Sequence, residues 1–211
     1  MPAVKSHTSE LATRLVDEAG RMLAAEGFGA LTLRRLATVT GTSTMAVYTL
    51  FGDKDGLLSA MHREGFARLA AALEDAVVGV ETDPLEALAR QGFAYRSAAL
   101  ANPHLYGLMF GTAAPGFSPD AVGEEVASAA YRPLVDGVQR CLDAGVMHGP
   151  SAERIGIHLW AVSHGMVSLE IAGHLDGDEQ ERADAYRDAL IYSSTPFLPL
   201  GLHAGLRDQP S

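Results

Sequence analysis

Thr32 and Ser43 each stand directly before a short run with helical spacing, Leu33 to Val39 and Thr44 to Leu50 or Phe51. A hydroxyl in that place accepts a hydrogen bond from a first-turn amide. The other amides there, at the positive end of the helix dipole, form an anion site suited to phosphate. Between the runs lies Gly41, a residue type that adopts φ > 0 without a Cβ penalty, so the chain can turn sharply. Two short helices joined by a turn containing glycine are what a reader of the DNA major groove needs. The first helix braces, and the second presents its N-terminal residues to base edges.

Other chemistry is poorly represented. The sequence contains no HExxH, no P-loop and no G-x-S-x-G. His158, His164 and His174 share one helical run, but spacings of six and ten do not bring neighbouring pairs within chelating reach on one face. Cys141 has no evident His partner and reads as a small buried hydrophobe, and Asp176 to Glu181 reads as a solvated turn and helix start. No catalytic residue, metal ligand or cofactor is expected. Two alternatives stay open: a helical-bundle enzyme whose site leaves no motif, and a protein-interaction module with a helix-turn-helix-like end.

The elements that must hold these residues are helices. Ala and Leu are abundant and alternating β-branched runs are missing, so the fold class is all-α. Leu11, Leu15, Ala19, Met22 and Leu23 share one face of a first helix, for which Thr8 or Ser9 is the expected cap, and which ends around Phe28 between Gly27 and Gly29. Asp53 caps a long helix from Lys54, with Leu57, Leu58, Met61, Phe66, Leu69 and Leu73 as its apolar positions. Asp83-Pro84 starts a helix that runs to about Ala101, and Asn102-Pro103 opens another. After a Gly/Pro-rich loop from Gly111 to Pro119, a helix from about Asp120 to Ala144 is expected to bend or break near Pro133. Ser151 caps a helix to about His174, and Asp176-Gly177-Asp178 turns into a last helix ending near Pro196. The tail after Pro199 is expected to be loose.

Net charge is −10, unevenly spread. Residues 1–58 hold six Lys/Arg and six Asp/Glu, so the excess acid lies beyond them. Phosphate repels an acidic body, so any contact with DNA must be local and made by the near-neutral end. With one cysteine, no secretory-type N-terminus and no apolar run of the ~20 residues that span a bilayer, a cytoplasmic protein without membrane association is expected.

The stretch from Thr32 to Leu58 resembles the tetracycline-repressor (TetR) family of bacterial regulators. It matches Thr at the start of the second helix (Thr32), Leu36-Ala37, Gly41 at the turn, Ser43 at the next cap, Val47-Tyr48, Phe51, Lys54 and Leu57. Thr42, Thr40 and Leu50 stand where Val, Ala and often His are usual, and no contact is carried over to Leu50. The resemblance implies a three-helix DNA-binding domain over residues 1–55 and a larger helical bundle over 56–211 for ligand binding and dimerisation, about nine helices in all. By it, Tyr48 and Lys54 contact phosphate, and Thr32 and Ser43 cap and approach phosphate. Arg34 and Arg35 reach the backbone, while Thr44, Met45 and Thr49 face the bases. Thr and Met can offer methyl contacts to thymine. The recognition helix holds no Arg, Asn or Gln, so bidentate readout of guanine or adenine from it is not expected, and DNA shape carries part of the specificity.

Residues 157–173, with Trp160…His164-Gly165, resemble the Trp-His-Gly C-terminal subclass of that family, and residues 102–110 support this. The helix from Ser151 is apolar nearly all round and rich in small residues, so burial on more than one side is expected; it is either a plain central core helix or, as the resemblance implies, a core helix that also packs against its symmetry mate. The last helix supplies the other half of a four-helix interface, giving a homodimer. A ligand pocket is expected between helices, lined from Phe93, Tyr95, Tyr106, Met109, Phe110, Trp160 and His164. The implied function is a repressor released from palindromic operator DNA by a small, largely apolar effector.

Overall fold

The computed structural model describes the backbone of residues 3–111 and 114–199, with side chains from Ser9 onward. The expected loose tail after Pro199 therefore lies outside the described residues. Within them the fold is all-α, nine helices with two short 3₁₀ turns and no strand. The chain packs as two compact units: one up to Arg68 with 102–127, the other Leu69–Ala101 with the chain from Ser128 on.

The first unit contains α1 (Ala3–Glu26), a 3₁₀ turn (Phe28–Ala30), α2 (Leu33–Thr40), α3 (Thr44–Phe51), most of α4 (Lys54–Asp75), α6 (Pro103–Met109) and the start of α7 (Ala121–Asp143). Its core is the set that helical spacing selects: Leu15, Ala19 and Met22 from α1, Leu33 and Leu36 from α2, Val47 from α3, Leu57, Leu58 and Met61 from α4. Leu105 and Leu108 of α6 close it. Helix α6 comes near enough to α1 that a Cβ at Gly20 would lie 2.1 Å from the His104 ring, so a side chain there would displace that ring. One expectation is corrected. Helix α1 does not begin at a cap on Thr8 or Ser9; it begins at Ala3, and both residues lie inside it. Helix propagation adds one hydrogen bond per residue fixed, and Ala3-Val4-Lys5 offers nothing to stop it.

The second unit contains the end of α4, α5 (Pro84–Ala101), the rest of α7, α8 (Ala152–Ile171), α9 (Glu179–Ser194) and a 3₁₀ turn (Thr195–Phe197). Val138 and Cys141 of α7, Ala152, Ile155 and Leu159 of α8, and Leu88 of α5 form its buried cluster. Helix α8 packs most extensively on α9 and next on α5. The fully buried Tyr186 of α9 donates its hydroxyl proton to the Gly92 carbonyl of α5 at 2.8 Å.

Between α5, α8 and α9 runs an ion-pair network that local sequence patterns do not reveal. Arg96 donates to Glu170 through Nε at 2.8 Å and Nη2 at 2.5 Å, and to Glu179 at 2.9 Å. Arg182 adds a further pair to Glu170 at 3.4 Å. Two more expectations change here. Helix α7 continues through Pro133 as one element, so of the expected bend or break the break does not occur. Helix α8 ends at Ile171 rather than near His174, and the chain leaves through Gly173 at φ 72. Cys141 is fully buried, and burial pushes its thiol up to about 11, which leaves it unreactive at neutral pH. Among the described residues no helix is long and apolar enough to cross a membrane.

Candidate nucleic-acid interface

Local chemistry sets both short helices as their caps require. The Thr32 hydroxyl accepts from the Arg35 amide at 3.3 Å, and the Ser43 hydroxyl accepts from the Ala46 amide at 3.0 Å. Each cap is worth about 1 kcal/mol. Between the helices Gly41 sits at φ 68, ψ 25, and its amide and that of Thr42 tie back to the last carbonyls of α2. A side chain in that left-handed conformation costs roughly 1 kcal/mol. The Asp53 carboxylate then accepts from the Gly56 amide at 2.8 Å and starts α4.

Helix α3 is held by its inner face. Val47 is fully buried in the first core, with Leu50 and Phe51 packed beside it. The other face is open: Met45 is 75 % exposed and Tyr48 50 % exposed, and Thr49 is exposed with them. Thr44 is half-buried at the N-terminal end. The Thr49 hydroxyl donates to the Met45 carbonyl at 2.8 Å, so its proton is already committed to the helix. Thr32, Ser43 and Arg34 are all exposed. The two arginines of α2 differ. Arg35 is bound to Glu26 at 2.6 Å, whereas Arg34 has no side-chain partner among the described residues.

Lys54 is half-buried. Its ammonium donates to the Phe28 carbonyl at 2.8 Å and lies 3.6 Å from the centre of the Phe28 ring. An ammonium carries three donors, so two remain for other acceptors. Sequence reasoning did not single out Phe28 as functional, because 26 residues separate it from Lys54 and no periodicity links them.

The residues expected to line a ligand pocket fall in two groups. In the first unit Tyr106 is buried with its ring 4.7 Å from that of Phe110, which meets Phe66 edge-on at 5.7 Å. Met109 lies over Gly65, where a Cβ would come within 2.6 Å of its sulfur. The same unit buries His62 on α4, whose Nδ1 has no hydrogen-bond partner among the described residues and whose imidazole burial holds below its ordinary pKa. In the second unit Trp160 donates Nε1–H to the Tyr95 hydroxyl at 3.3 Å, and that hydroxyl lies 3.4 Å from His164 Nδ1. Burial likewise lowers the His164 pKa. Phe93 is exposed on α5. Among the described residues no group of His, Cys, Asp or Glu could hold a metal ion.

A braced recognition helix with an open outer face, two capped N-termini and an all-α body define a helix-turn-helix regulator of transcription. Two family models match the chain. Residues 15–61 match the bacterial regulatory proteins of the tetR family, and residues 85–192 match a tetracyclin repressor-like C-terminal domain. The chain belongs to the tetR family. That second description does not include the Trp-His-Gly subclass expected from residues 157–173.

The HTH-type transcriptional regulator Rv1816 of Mycobacterium tuberculosis is 28% identical over 202 residues, 80% of this chain and 84% of its own length. The HTH-type transcriptional repressor Rv1474c of the same species is 37% identical over 89 residues, 41% of this chain and 48% of its own, so that match spans about half the relative. Among solved structures, a protein of unknown function from Rhodococcus sp. RHA1 has 33% identity and a TM-score of 0.74, covering 90% of this chain and 96% of that one. The TetR family regulator PfmR from Thermus thermophilus, at 24% identity and a TM-score of 0.67, shares the fold over 84% of this chain and 96% of its own.

Proposed function

We propose that this regulator is a repressor that binds a palindromic operator as a homodimer and leaves it when a small, largely apolar effector binds. Residues 1–55 form the DNA-binding part, and 56–211 bind effector and dimerise. The observation that carries the DNA reading is the open face of α3, held outward by the buried Val47. In this reading Thr44, Met45 and Thr49 meet the bases. Thr32, Arg34, Ser43, Tyr48 and a remaining donor of Lys54 meet phosphates. Because the Thr49 proton is committed to the helix, the reading surface is dominated by methyl groups, which suits thymine.

The dimer forms through α8 and α9. Ile157, Ala161 and Leu169 are exposed at four- and eight-residue spacings on one face of α8, with Gly165 between them opening onto empty space. Ala185 and Tyr192 are exposed on α9. This apolar face of α8 is left uncovered within one chain, and a second copy covers it. For the effector, Tyr95, Trp160 and His164 of the second unit supply polar handles with Phe93 as a further candidate contact, and Tyr106, Met109 and Phe110 of the first unit form a separate candidate group. Release follows from linkage: an effector that favours a dimer with wrongly spaced heads lowers DNA affinity by the same factor.

No catalytic role is assigned. A protein that acts on a bacterial operator works in the cytoplasm, where the DNA is. A gel shift against the chain's own upstream region tests the proposal. A complex that resists excess unrelated DNA supports it, and equal competition by unrelated DNA refutes it.

A further inference from the structure

We propose that Phe28 is a positioning residue for DNA binding: its ring and carbonyl hold the Lys54 ammonium at the edge of the reading head, so that the phosphate donor is already ordered before DNA arrives. The inference rests on the DNA-binding reading above and adds a residue to it. Lysine is a flexible point charge on a four-carbon stem, and holding it in one place at the moment of binding carries an entropic cost. Here that cost is met within the protein. The ammonium lies 3.6 Å from the ring centre, where the negative face of the aromatic quadrupole attracts a cation. The carbonyl of the same residue accepts one of its three protons at 2.8 Å. Phe28 itself is fixed, half-buried against the core that contains Val47 and Leu57. The clamp therefore joins the turn after α1 to the first residue of α4, next to the end of the recognition helix.

The test is operator affinity and its salt dependence for Phe28→Leu, Lys54→Met and the double variant, each checked for an unchanged helical spectrum. Phe28→Leu keeps the apolar packing, the carbonyl and the lysine charge but removes the aromatic face. Such a face is worth about 0.5–1 kcal/mol at a partly exposed site, or roughly threefold per head and about tenfold for a dimer. Weaker binding by about that factor is expected, with the salt slope unchanged. In the Lys54→Met background the same substitution is expected to cost nothing more, whereas a residue that merely packs loses as much in both backgrounds.

Progressive fluorination of the Phe28 ring keeps its shape and drains the quadrupole, so a graded loss of affinity is expected even if the leucine variant misfolds. Affinity independent of fluorination, or equal losses for Phe28→Leu in both backgrounds, overturns the proposal. A salt slope that stays the same for Lys54→Met while Phe28→Leu still weakens binding overturns the phosphate role of Lys54. The positioning role then has nothing to order and is overturned with it.

Discussion

The Arg96–Glu170 pair offers a stability measurement whose size follows from geometry. The two side chains are 11% and 5% exposed, and two hydrogen bonds at 2.8 and 2.5 Å join them. Removing one partner of a buried pair costs about 3–5 kcal/mol, mostly because the other charge stays buried and unmatched. In Glu170→Ala the remaining partner of Arg96 is Glu179, which is largely in solvent and compensates only in part. A loss of about 3 kcal/mol is therefore expected, or roughly 6–12 °C in Tm for a chain of this size. Replacing both partners by leucine leaves no buried charge and is expected to recover most of the loss. As a control, Glu86→Ala removes the exposed Arg90 pair, for which less than about 1 kcal/mol is expected. Urea unfolding of the three variants and the parent chain at one fixed protein concentration gives the three losses, the fixed concentration being needed because the proposed dimerisation would shift apparent stability. If Glu170→Ala costs no more than Glu86→Ala, the network does not tie α5, α8 and α9 together as argued.

Three further outcomes are expected. Ile157→Glu, which places a charge on the exposed apolar face of α8, should give a monomer in sedimentation at micromolar concentration with its helical content intact; an unchanged dimer would put the interface elsewhere. Tyr48→Ala should weaken binding to all sequences alike, whereas Met45→Ala should alter which operator variant is preferred, read by competition among single-base variants. Burial lowers the pKa of His62, His104 and His164 from the ordinary value of 6.5, so below it the unfolded chain binds more protons than the folded one. Stability should accordingly be full above that value and fall as pH drops through it towards the folded pKa values, and His62→Phe should flatten the fall; a curve that rises on acidification contradicts the sign.

Much of the fold was legible because it is set locally. Thr32, Ser43, Asp53, Asp83, Ser151 and Asp178 each accept from the amide three residues on, an interaction contained in a four-residue window. The apolar faces of α1 and α4 followed from spacing alone. The start of α1 was misread because Thr8 and Ser9 are good caps that the helix had no need to use, having begun at Ala3. Pro133 was expected to bend or break α7; it removes a single amide donor, and the helix continues through it without a break. What stayed hidden is what depends on distant partners. Glu170 lies 74 residues from Arg96, and Lys54 lies 26 from Phe28. Neither pair leaves a periodic trace, and the burial of His62 Nδ1 without a partner among the described residues is a property of packing alone. The resemblance selected Lys54 for its charge but said nothing of the ring that holds it.

The most direct test of the central claim is a hydroxyl-radical footprint of the purified protein on an operator selected from genomic fragments. A dimer reading DNA through α3 is expected to protect two dyad-related patches whose centres lie about 34–36 Å apart, one turn of the duplex. Protection of a single unsymmetrical patch, or none beyond that given to random DNA, contradicts it.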